Sequence, residues 1–387
     1  MAEKSIRVGI DLTSLWRRPT GIFRYSAELA RHLLSLAEAA SQMRYVLFFA
    51  REIHTDFLPW RDTFEAVLCP TTNELLIKQV WFPAILPRLR LDVMHYPAFP
   101  PPYSQPFGPR TVMTLHDAGP WRYADALTLH GRLYFRTLLA RGLQYCSRVI
   151  TVSTHARSEI VYFMGEHFAP RLVVIPEAAQ TAFSVPCSQE QRQRVRAAYG
   201  LPERYLLTVA TVEPRKNLVT LLDAYQQLRQ RLGNLCPPLV IVGRKGWHCD
   251  DIFGYMRALQ ESIIFPGHVS DADLVALYQM ASVFVFPSLY EGFGLPLLEA
   301  MRAGCPVVSS RSSSLPEVAG DAALFVDPLQ ADEMAAAIER LLSDERLRAQ
   351  LVELGRVRAQ HFTWEETARR TRAVYADVYL DKISYKR

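Results

Sequence analysis

The chain has 387 residues, of which 49% are hydrophobic and 21% are charged, and its net charge is +5. This length exceeds what one hydrophobic core usually serves, and the composition excludes a disordered or fibrous chain. No apolar run reaches the roughly 18 residues that a membrane span needs, and residues 5–11 alternate like a strand rather than a signal peptide. We therefore expect a globular, cytoplasmic protein of two domains.

The positive charge lies in the first half of the chain. Residues 1–180 contain 20 Lys and Arg against 15 Asp and Glu, whereas the remaining residues contain 24 of each. This excess suits an acidic surface or a phosphate-bearing partner, although it is also compatible with ordinary solvation. The six cysteines form no CxxC pair and no zinc-ligand spacing, so we expect free, mostly buried thiols.

Short apolar runs and helical patterns alternate along the first half. A strand is predicted at 6–12, then a loop containing Gly21 and a helix around 23–36. The further predicted strands of this half are 45–49, 93–94, 111–115, 149–152 and 172–175. Such alternation predicts a parallel sheet with crossover helices. We assign residues 1–180 to this domain and place the linker at 176–190.

A second domain of the same kind is predicted over 181–363. Its predicted strands are 205–210, 239–242, 263–265, 283–286, 306–309 and 323–326, and helices are predicted at 218–232 and 273–280. A last segment, 364–387, contains an amphipathic helix that we expect to pack back on the first domain. The fold class is therefore α/β with two doubly wound domains, and ligands should bind in a crevice that faces strand carboxyl ends.

The strongest motif starts at Glu291 and reads Glu-Gly-Phe-Gly-Leu-Pro-Leu-Leu-Glu. Gly292 and Gly294 permit close backbone approach, and a helix that begins near Pro296 offers free N–H groups to a phosphate. Glu291 and Glu299 are carboxylates that suit a hydroxyl-rich ligand. The alternative for Glu299 alone is a favourable interaction with the helix dipole.

A second motif, Glu-Pro-Arg-Lys-Asn, lies between a strand and a helix and ends at Asn217, a predicted helix N-cap. Cations directly before a helix N-terminus oppose its dipole unless an anion lies between them. Arg215 and Lys216 therefore indicate a diphosphate clamp, with a solvated basic loop as the alternative.

Two further segments carry chemistry. His116 ends a predicted strand, where it can hydrogen-bond a departing or attacking oxygen or can simply be a satisfied strand-end residue. Asp271 and Asp273 have the spacing of an Asp-x-Asp metal motif, but they open a helix, where aspartates cap and favour the dipole. We therefore predict no metal ligands.

Together these motifs resemble the signature of glycosyltransferase family 4. The resemblance covers nearly the whole chain, most strongly from 205 to 330, where Val-Val-Ser-Ser and Leu-Pro-Glu-Val-Ala-Gly also fit. It implies the GT-B fold, with two Rossmann-like domains that have doubly wound parallel sheets and face a central cleft. It also implies a retaining, metal-independent transfer of a hexose from a nucleotide diphosphate sugar to a glycan hydroxyl, with no cofactor.

The resemblance also implies roles for individual residues. His116 and Glu291 are the expected catalytic residues. The expected donor-binding residues are Arg215, Lys216, Glu299, Phe293, Gly294, Leu295, Val269 and Gly21. Weaker acceptor-side candidates are Arg24, Tyr25 and Tyr96. At Gly21 the family often has consecutive glycines, whereas this chain has Pro-Thr-Gly, which weakens a direct phosphate contact by that loop.

Among its members, the chain most resembles bacterial mannosyltransferases that use GDP-mannose in O-antigen or exopolysaccharide assembly. We expect a lipid-linked glycan acceptor, peripheral contact with the cytosolic face of the inner membrane and no nucleic-acid partner. Candidate membrane-facing residues are Trp16, Arg17, Arg18, Arg132, Arg136 and Arg141.

Other functions are weighed against this one. A Rossmann oxidoreductase requires a Gly-x-Gly-x-x-Gly fingerprint after the first strand, which is missing. A non-catalytic nucleotide-sugar-binding regulator, and an epimerase or phosphorylase of the same architecture, stay open as alternatives.

Overall fold

The computed structural model of the chain contains two compact units. Unit 1 comprises Met1–Glu177 and Thr363–Arg387, and unit 2 comprises Ala178–Phe362. The structure describes residues 5–16, 21–39, 42–98, 100–103, 108–123 and 139–384. The expected domain boundary after residue 180 lies close to the observed one, and the final segment belongs to unit 1.

Unit 1 is built on a parallel sheet of seven strands in the order β3-β2-β1-β4-β5-β6-β7. The strands are β1 (Ile6–Asp11), β2 (Met43–Ala50), β3 (Phe64–Cys69), β4 (Val93–Tyr96), β5 (Arg110–Thr114), β6 (Cys146–Thr151) and β7 (Leu172–Val174). Ile6 lies opposite Met43 of β2, and Val8 lies opposite Val93 of β4. The direction in which the strand order grows reverses between β1 and β4, where doubly wound sheets bind ligands.

Unit 2 has a parallel sheet of six strands in the order β10-β9-β8-β11-β12-β13. They are β8 (Leu206–Val209), β9 (Leu239–Val242), β10 (Ile263–Gly267), β11 (Val283–Phe286), β12 (Val307–Ser310) and β13 (Leu324–Val326). This is the Rossmann strand order, and its reversal lies between β8 and β11. Both sequence motifs of this unit follow those two strands.

The helices lie between the strands or follow them. In chain order they are α1 (Gly21–Ala39), α2 (Glu74–Leu76), α3 (Phe82–Ile85), α4 (Gly119–Arg122), α5 (Ala140–Tyr145), α6 (Thr154–Met164), α7 (Gln189–Tyr199), α8 (Leu218–Leu232), α9 (Asp250–Ala258), α10 (Asp271–Met280), α11 (Leu295–Arg302), α12 (Leu315–Ala319), α13 (Ala331–Ser343), α14 (Glu345–Gln360) and α15 (Trp364–Ser384). Within the described ranges, no helix combines the length and apolar character that a bilayer crossing requires. All six cysteines are free, as predicted.

Helix α8 shows why the sequence forms these elements. Leu218, Leu221, Leu222, Tyr225 and Leu228 recur at the spacing of one helix face, and all five are buried. They pack in one core with β8, β9 and α13. Each leucine buried in this way stabilises the fold by about 1.5–3 kcal/mol.

A buried polar chain of hydrogen bonds attaches α15 to the sheet of unit 1. His95 Nδ1 lies 2.6 Å from the Tyr375 hydroxyl, and its Nε2 lies 2.9 Å from Thr114 Oγ1. That oxygen is 3.1 Å from the hydroxyl of Tyr25 in α1. Burial lowers the pKa of His95 to about 3, so the ring is neutral. The network satisfies buried polar groups and fixes the docking of α15.

Unit 1 also buries an ion pair at the carboxyl end of β1. Asp11 pairs with Lys78, which belongs to a π-helical turn, Ile77–Trp81. The Lys78 ammonium lies 4.9 Å from the ring centre of Tyr96 and 5.3 Å from that of Phe82. Burial lowers the pKa of Lys78 to about 7, because a charged amine is costly without water. Each partner of such a pair makes the burial of the other tolerable.

Asp11→Asn is expected to destabilise unit 1 by about 3 kcal/mol, because it leaves a buried ammonium without its carboxylate. Asparagine keeps an oxygen for the Thr13 N–H and hydroxyl that Asp11 Oδ1 accepts. The double variant Asp11→Asn/Lys78→Met should recover most of the loss. Urea unfolding of both variants measures this, and an Asp11→Asn protein as stable as the original chain would contradict a charged pair.

Candidate active site

Two loops meet at the carboxyl edge of the unit 2 sheet. The first follows β8 and turns at Pro214–Lys216, and the second follows β11. The Leu289 N–H donates to the Arg215 carbonyl oxygen over 2.9 Å, which joins the two backbones. Lys216 Nζ lies 2.6 Å from Glu291 Oε1, and Arg215 Nη1 lies 3.7 Å from Glu291 Oε2. Each oxygen of Glu291 therefore faces one cation.

A second acid completes this cluster. Arg215 also pairs with Glu213, whose Oε1 lies 3.0 Å from Nη2 and 3.1 Å from Nε. Burial acts to raise the pKa of Glu291, but the charges of Lys216 and Arg215 outweigh it and hold that pKa below its ordinary value. The Glu291 carboxylate is therefore ionised at neutral pH. Two cations and two acids make the cluster close to neutral overall.

The prediction that the Asn217 side chain caps α8 is wrong. Asn217 stands directly before α8, but its backbone is left-handed, with φ of 57°, and its side chain makes no capping hydrogen bond. Instead its amide donates to the carbonyl oxygens of Pro287 and Pro328, over 3.1 and 2.6 Å. Asn217 therefore ties the basic loop to the end of β11, because its amide has two donors that a cap would not use.

Serines after β12 hold the loop that carries Glu291. Ser313 Oγ accepts the Glu291 N–H over 2.9 Å. Ser314 Oγ lies 3.0 Å from the Glu291 carbonyl oxygen and 2.8 Å from that of Phe293. Ser313 and Ser314 lie between the two stretches that fit the family pattern, and the sequence gave no sign of this positioning role. They fix the backbone on which the carboxylate is mounted.

The start of α11 follows the same loop. Gly294 has φ of +111°, and a Cβ on it would lie 2.6 Å from Leu315 Cδ2, so backbone conformation and packing both require glycine. Leu295 and Pro296 open the helix and are half-buried. Glu299 is buried, and its Oε2 accepts the Tyr278 hydroxyl over 3.1 Å.

Two other residues singled out in the sequence, Val269 and Asp273, lie at the start of α10. Asp273 accepts a hydrogen bond from Arg194, and the Tyr199 hydroxyl lies 2.8 Å from its Oδ2, in the first turn of α10, which Ser270 caps. The Asp-x-Asp spelling thus has a structural explanation. Val269 precedes that helix and has a buried side chain.

His116 follows β5 in unit 1. Its Nδ1 lies 2.7 Å from Glu177 Oε1, and its Nε2 lies 3.0 Å from the Pro97 carbonyl oxygen. Because a carboxylate and a carbonyl only accept, both nitrogens must donate and the ring is an imidazolium. Burial acts to lower the pKa of His116, but Glu177 and the carbonyl raise it above the ordinary value. A hydrogen bond from either nitrogen to a substrate would replace one of these.

Two acceptor-side candidates lie in the core of unit 1. Tyr25 is 0% exposed, and its ring packs edge-on against His116 at 4.6 Å. Tyr96 is also 0% exposed and packs edge-on against Phe82. Both are core residues whose side chains present no surface to an acceptor.

The remaining candidates from the sequence are Gly21, Arg24 and the residues expected to face a membrane. Gly21 is the first residue of α1 and is exposed, and a Cβ on it would meet no described atom within 4 Å. Arg24 is half-buried in the same first turn. Trp16 is 47% exposed, and the Arg141 guanidinium lies 5.0 Å from the ring centre of Tyr103. The other proposed membrane-facing residues, Arg17, Arg18, Arg132 and Arg136, lie outside the described residues.

The sequence of this chain matches two family models of glycosyltransferases. Residues 20–183 match Glycosyltransferase Family 4, and residues 190–358 match Glycosyl transferases group 1. Over 374 residues the chain is 33% identical to O-antigen chain mannosyltransferase B of Escherichia coli, covering 92% of this chain and 96% of that protein. Over 266 residues it is 32% identical to the serotype-specific mannosyltransferase WbdA of Escherichia coli, covering 67% of this chain and 32% of that protein.

The fold comparison agrees. A sucrose-phosphate synthase from Thermosynechococcus elongatus has a TM-score of 0.75 at 21% identity, over 97% of this chain and 100% of that one. Two Rossmann-like domains in one chain define the GT-B class of transferases, as predicted. The chain belongs to the glycosyltransferases of family 4 and group 1, and it is therefore an enzyme that transfers a sugar.

Glu177→Gln is expected to lower the pKa of His116 below the ordinary histidine value of 6.5, because burial then acts against only the weaker remaining partners. In the original chain the raised pKa contributes stability below pH 6.5, and that contribution is lost as pH rises through the folded pKa. Titration of the His116 ring protons by NMR measures the shift. His95, neutral throughout, serves as the internal control, and an unchanged His116 titration would exclude the Glu177 pair as its cause.

Proposed function

We propose that this glycosyltransferase transfers mannose from GDP-mannose to a hydroxyl of a lipid-linked glycan in the assembly of a bacterial surface polysaccharide. The observation that carries the donor assignment is the convergence of Lys216, Arg215 and Glu291 at the carboxyl edge of the unit 2 sheet. The mannosyl and polysaccharide assignments are supported by the names of the Escherichia coli relatives.

In this proposal the donor diphosphate exchanges partners with Glu291. Phosphate oxygens take over the Lys216 ammonium and the Arg215 guanidinium, which bind them by charge-assisted hydrogen bonds. The Glu291 carboxylate, released from the two cations, then accepts hydrogen bonds from hydroxyls of the sugar. The contacts of Glu291 support this exchange, because its carboxylate holds the same two cations that the diphosphate would bind.

The remaining donor contacts follow the same loops. The N–H groups at the start of α11, on Gly294 and Leu295, face a phosphate, and Glu299 holds the ribose hydroxyls. Phe293 lies in the same loop and Val269 lies near the base. Gly21, as a donor-binding residue, and Arg24, as an acceptor-side residue, are the candidates that unit 1 contributes to the proposal.

The chemical step is the departure of the nucleoside diphosphate. Negative charge develops on the leaving oxygen, and Lys216, Arg215 and the helix start stabilise it without a metal ion. The acceptor hydroxyl attacks on the face that the diphosphate leaves, so the configuration is retained. His116 of unit 1 is the other proposed catalytic residue and acts as an imidazolium. Peripheral attachment to the inner membrane face brings the lipid-linked acceptor to the enzyme.

Glu291→Gln separates binding from transfer. Without a competing carboxylate on Lys216 and Arg215, GDP is expected to bind this variant more tightly, by up to about tenfold, while turnover falls roughly 10- to 100-fold. Isothermal titration and initial rates measure the two effects. Lys216→Ala should lose both GDP affinity and turnover.

The matched control is Lys245→Ala, an exposed lysine of the same unit that pairs with Asp250. It should change neither quantity. Unchanged turnover in both Glu291→Gln and Lys216→Ala would remove the proposed site.

The donor is identified by thermal stabilisation. GDP-mannose at saturating concentration should raise the melting temperature more than UDP-glucose or ADP-glucose, because a ligand that binds only the folded state stabilises it by mass action. Stabilisation by a UDP or ADP sugar alone would reject the guanine nucleotide and leave the transferase fold unaffected.

A further inference from the structure

Unit 2 contains a cavity of about 640 Å³ at the opposite end of its sheet from the candidate active site. Three arginines from three helices line it: Arg192 of α7, Arg302 of α11 and Arg356 of α14. Gln279 of α10 also lines the cavity, and its amide holds the adjacent chain in place: its oxygen accepts the Cys187 N–H, and its nitrogen donates to the carbonyl oxygens of Phe183 and Val185. We propose that this arginine cavity binds a phosphate ester, either free in solution or carried by a lipid headgroup.

The cavity is separate from the donor cluster. Its lining includes Ala303 and Gly304, which follow α11 and precede β12 at its amino end. Glu291 and the donor loop precede the other end of the same helix. An eight-residue helix is about 12 Å long, so the two sites lie roughly one helix length apart.

The cavity carries positive charge at the protein surface, since Arg192 and Arg356 are exposed and Arg302 is half-buried. None of the described residues that line it is acidic, and neither Arg192 nor Arg356 has an ion-pair partner in the described part of the chain. Three like charges in one cavity repel one another. The dipole of α11 favours a cation at its carboxyl end and accounts for Arg302, which donates to the Ala179 carbonyl oxygen over 2.7 Å. It does not account for arginines that arrive from two other helices.

The backbone is shaped around one of these arginines. Gly304 has φ of +75°, and a Cβ on it would lie 2.7 Å from Arg356 Nη2. The missing side chain lets the guanidinium lie against the chain turn beside the cavity. Guanidinium groups match the oxygens of a phosphate in paired hydrogen bonds, and the volume leaves room for an attached sugar or glycerol.

The test uses the full chain, the double variant Arg192→Gln/Arg356→Gln, and a charge-matched control. The control, Arg340→Gln/Arg346→Gln, removes two exposed arginines of the same unit that do not line the cavity. The soluble probe is glycerol 3-phosphate, followed by isothermal titration. The lipid probe is a vesicle of phosphatidylcholine and phosphatidylglycerol in equal parts, against phosphatidylcholine alone, followed by co-sedimentation.

The cavity variant is expected to bind at least one probe about tenfold more weakly than the original chain, as when charge-assisted hydrogen bonds are lost. The control should bind as the original chain does, and transfer to a soluble acceptor should be unchanged in both variants. Loss with the soluble probe indicates a free phosphate ester, and loss with vesicles alone indicates a lipid headgroup.

Lys216→Ala distinguishes this site from the donor cluster. Probe binding that survives in Lys216→Ala but not in the cavity variant supports the proposal even if the donor assignment fails. Probe binding that is equal in the cavity variant and the original chain, or that is lost equally in the control, overturns it.

Discussion

The ion pair between Lys216 and Glu291 connects two loops that lie 75 residues apart in the sequence. Neither side chain is well exposed, at 12% and 9%, so each would be costly to place there without the other. The backbone bond from Leu289 to Arg215 and the serines after β12 hold the loops in register for that pair. The ion pair thus holds the Lys216 ammonium and the Glu291 carboxylate in position at the same edge of the sheet.

The same constraint governs the carboxyl edge of the unit 1 sheet. Two charged groups there have an opposite partner: Lys78 pairs with Asp11 at the end of β1, and His116 pairs with Glu177 after β5. Both pairs lie at or beside the strands that flank the reversal of strand order. The consequence is that the charged form of His116 is favoured, because both of its nitrogens face acceptors that raise its pKa.

Periodicity and motifs carried much of the prediction. The bounds of α8, β9 and β11 agree with the structure, because buried faces of regular spacing end at clear turn residues. Strand β3 was missed: it is an edge strand in which Glu65 and Leu68 are exposed, so its pattern is weakly apolar. The π-helical turn that carries Lys78 has no signal in the sequence, since only tertiary packing favours it.

Side-chain direction and pairing were the harder part of the site. Tyr25 and Tyr96 lie at the expected places in the fold, but a motif gives a position in the backbone and not the direction in which a ring points. Glu177 lies 61 residues from His116, and nothing local in the sequence indicates that the two meet. Glu213, by contrast, stands within the motif that was found, two residues before the arginine that it binds.

The balance of charge in unit 2 shows why composition alone says little about its sites. Residues 178–362 contain 18 basic and 20 acidic side chains, nearly equal numbers, yet the structure separates them. At the start of α11, two cations are matched by two acids and are held ready for exchange. At its end, three arginines share a cavity whose described lining has no acid. Because Coulomb interactions act over a few ångströms in a partly buried site, it is this local arrangement, rather than the sum over the domain, that determines which anions each end can hold.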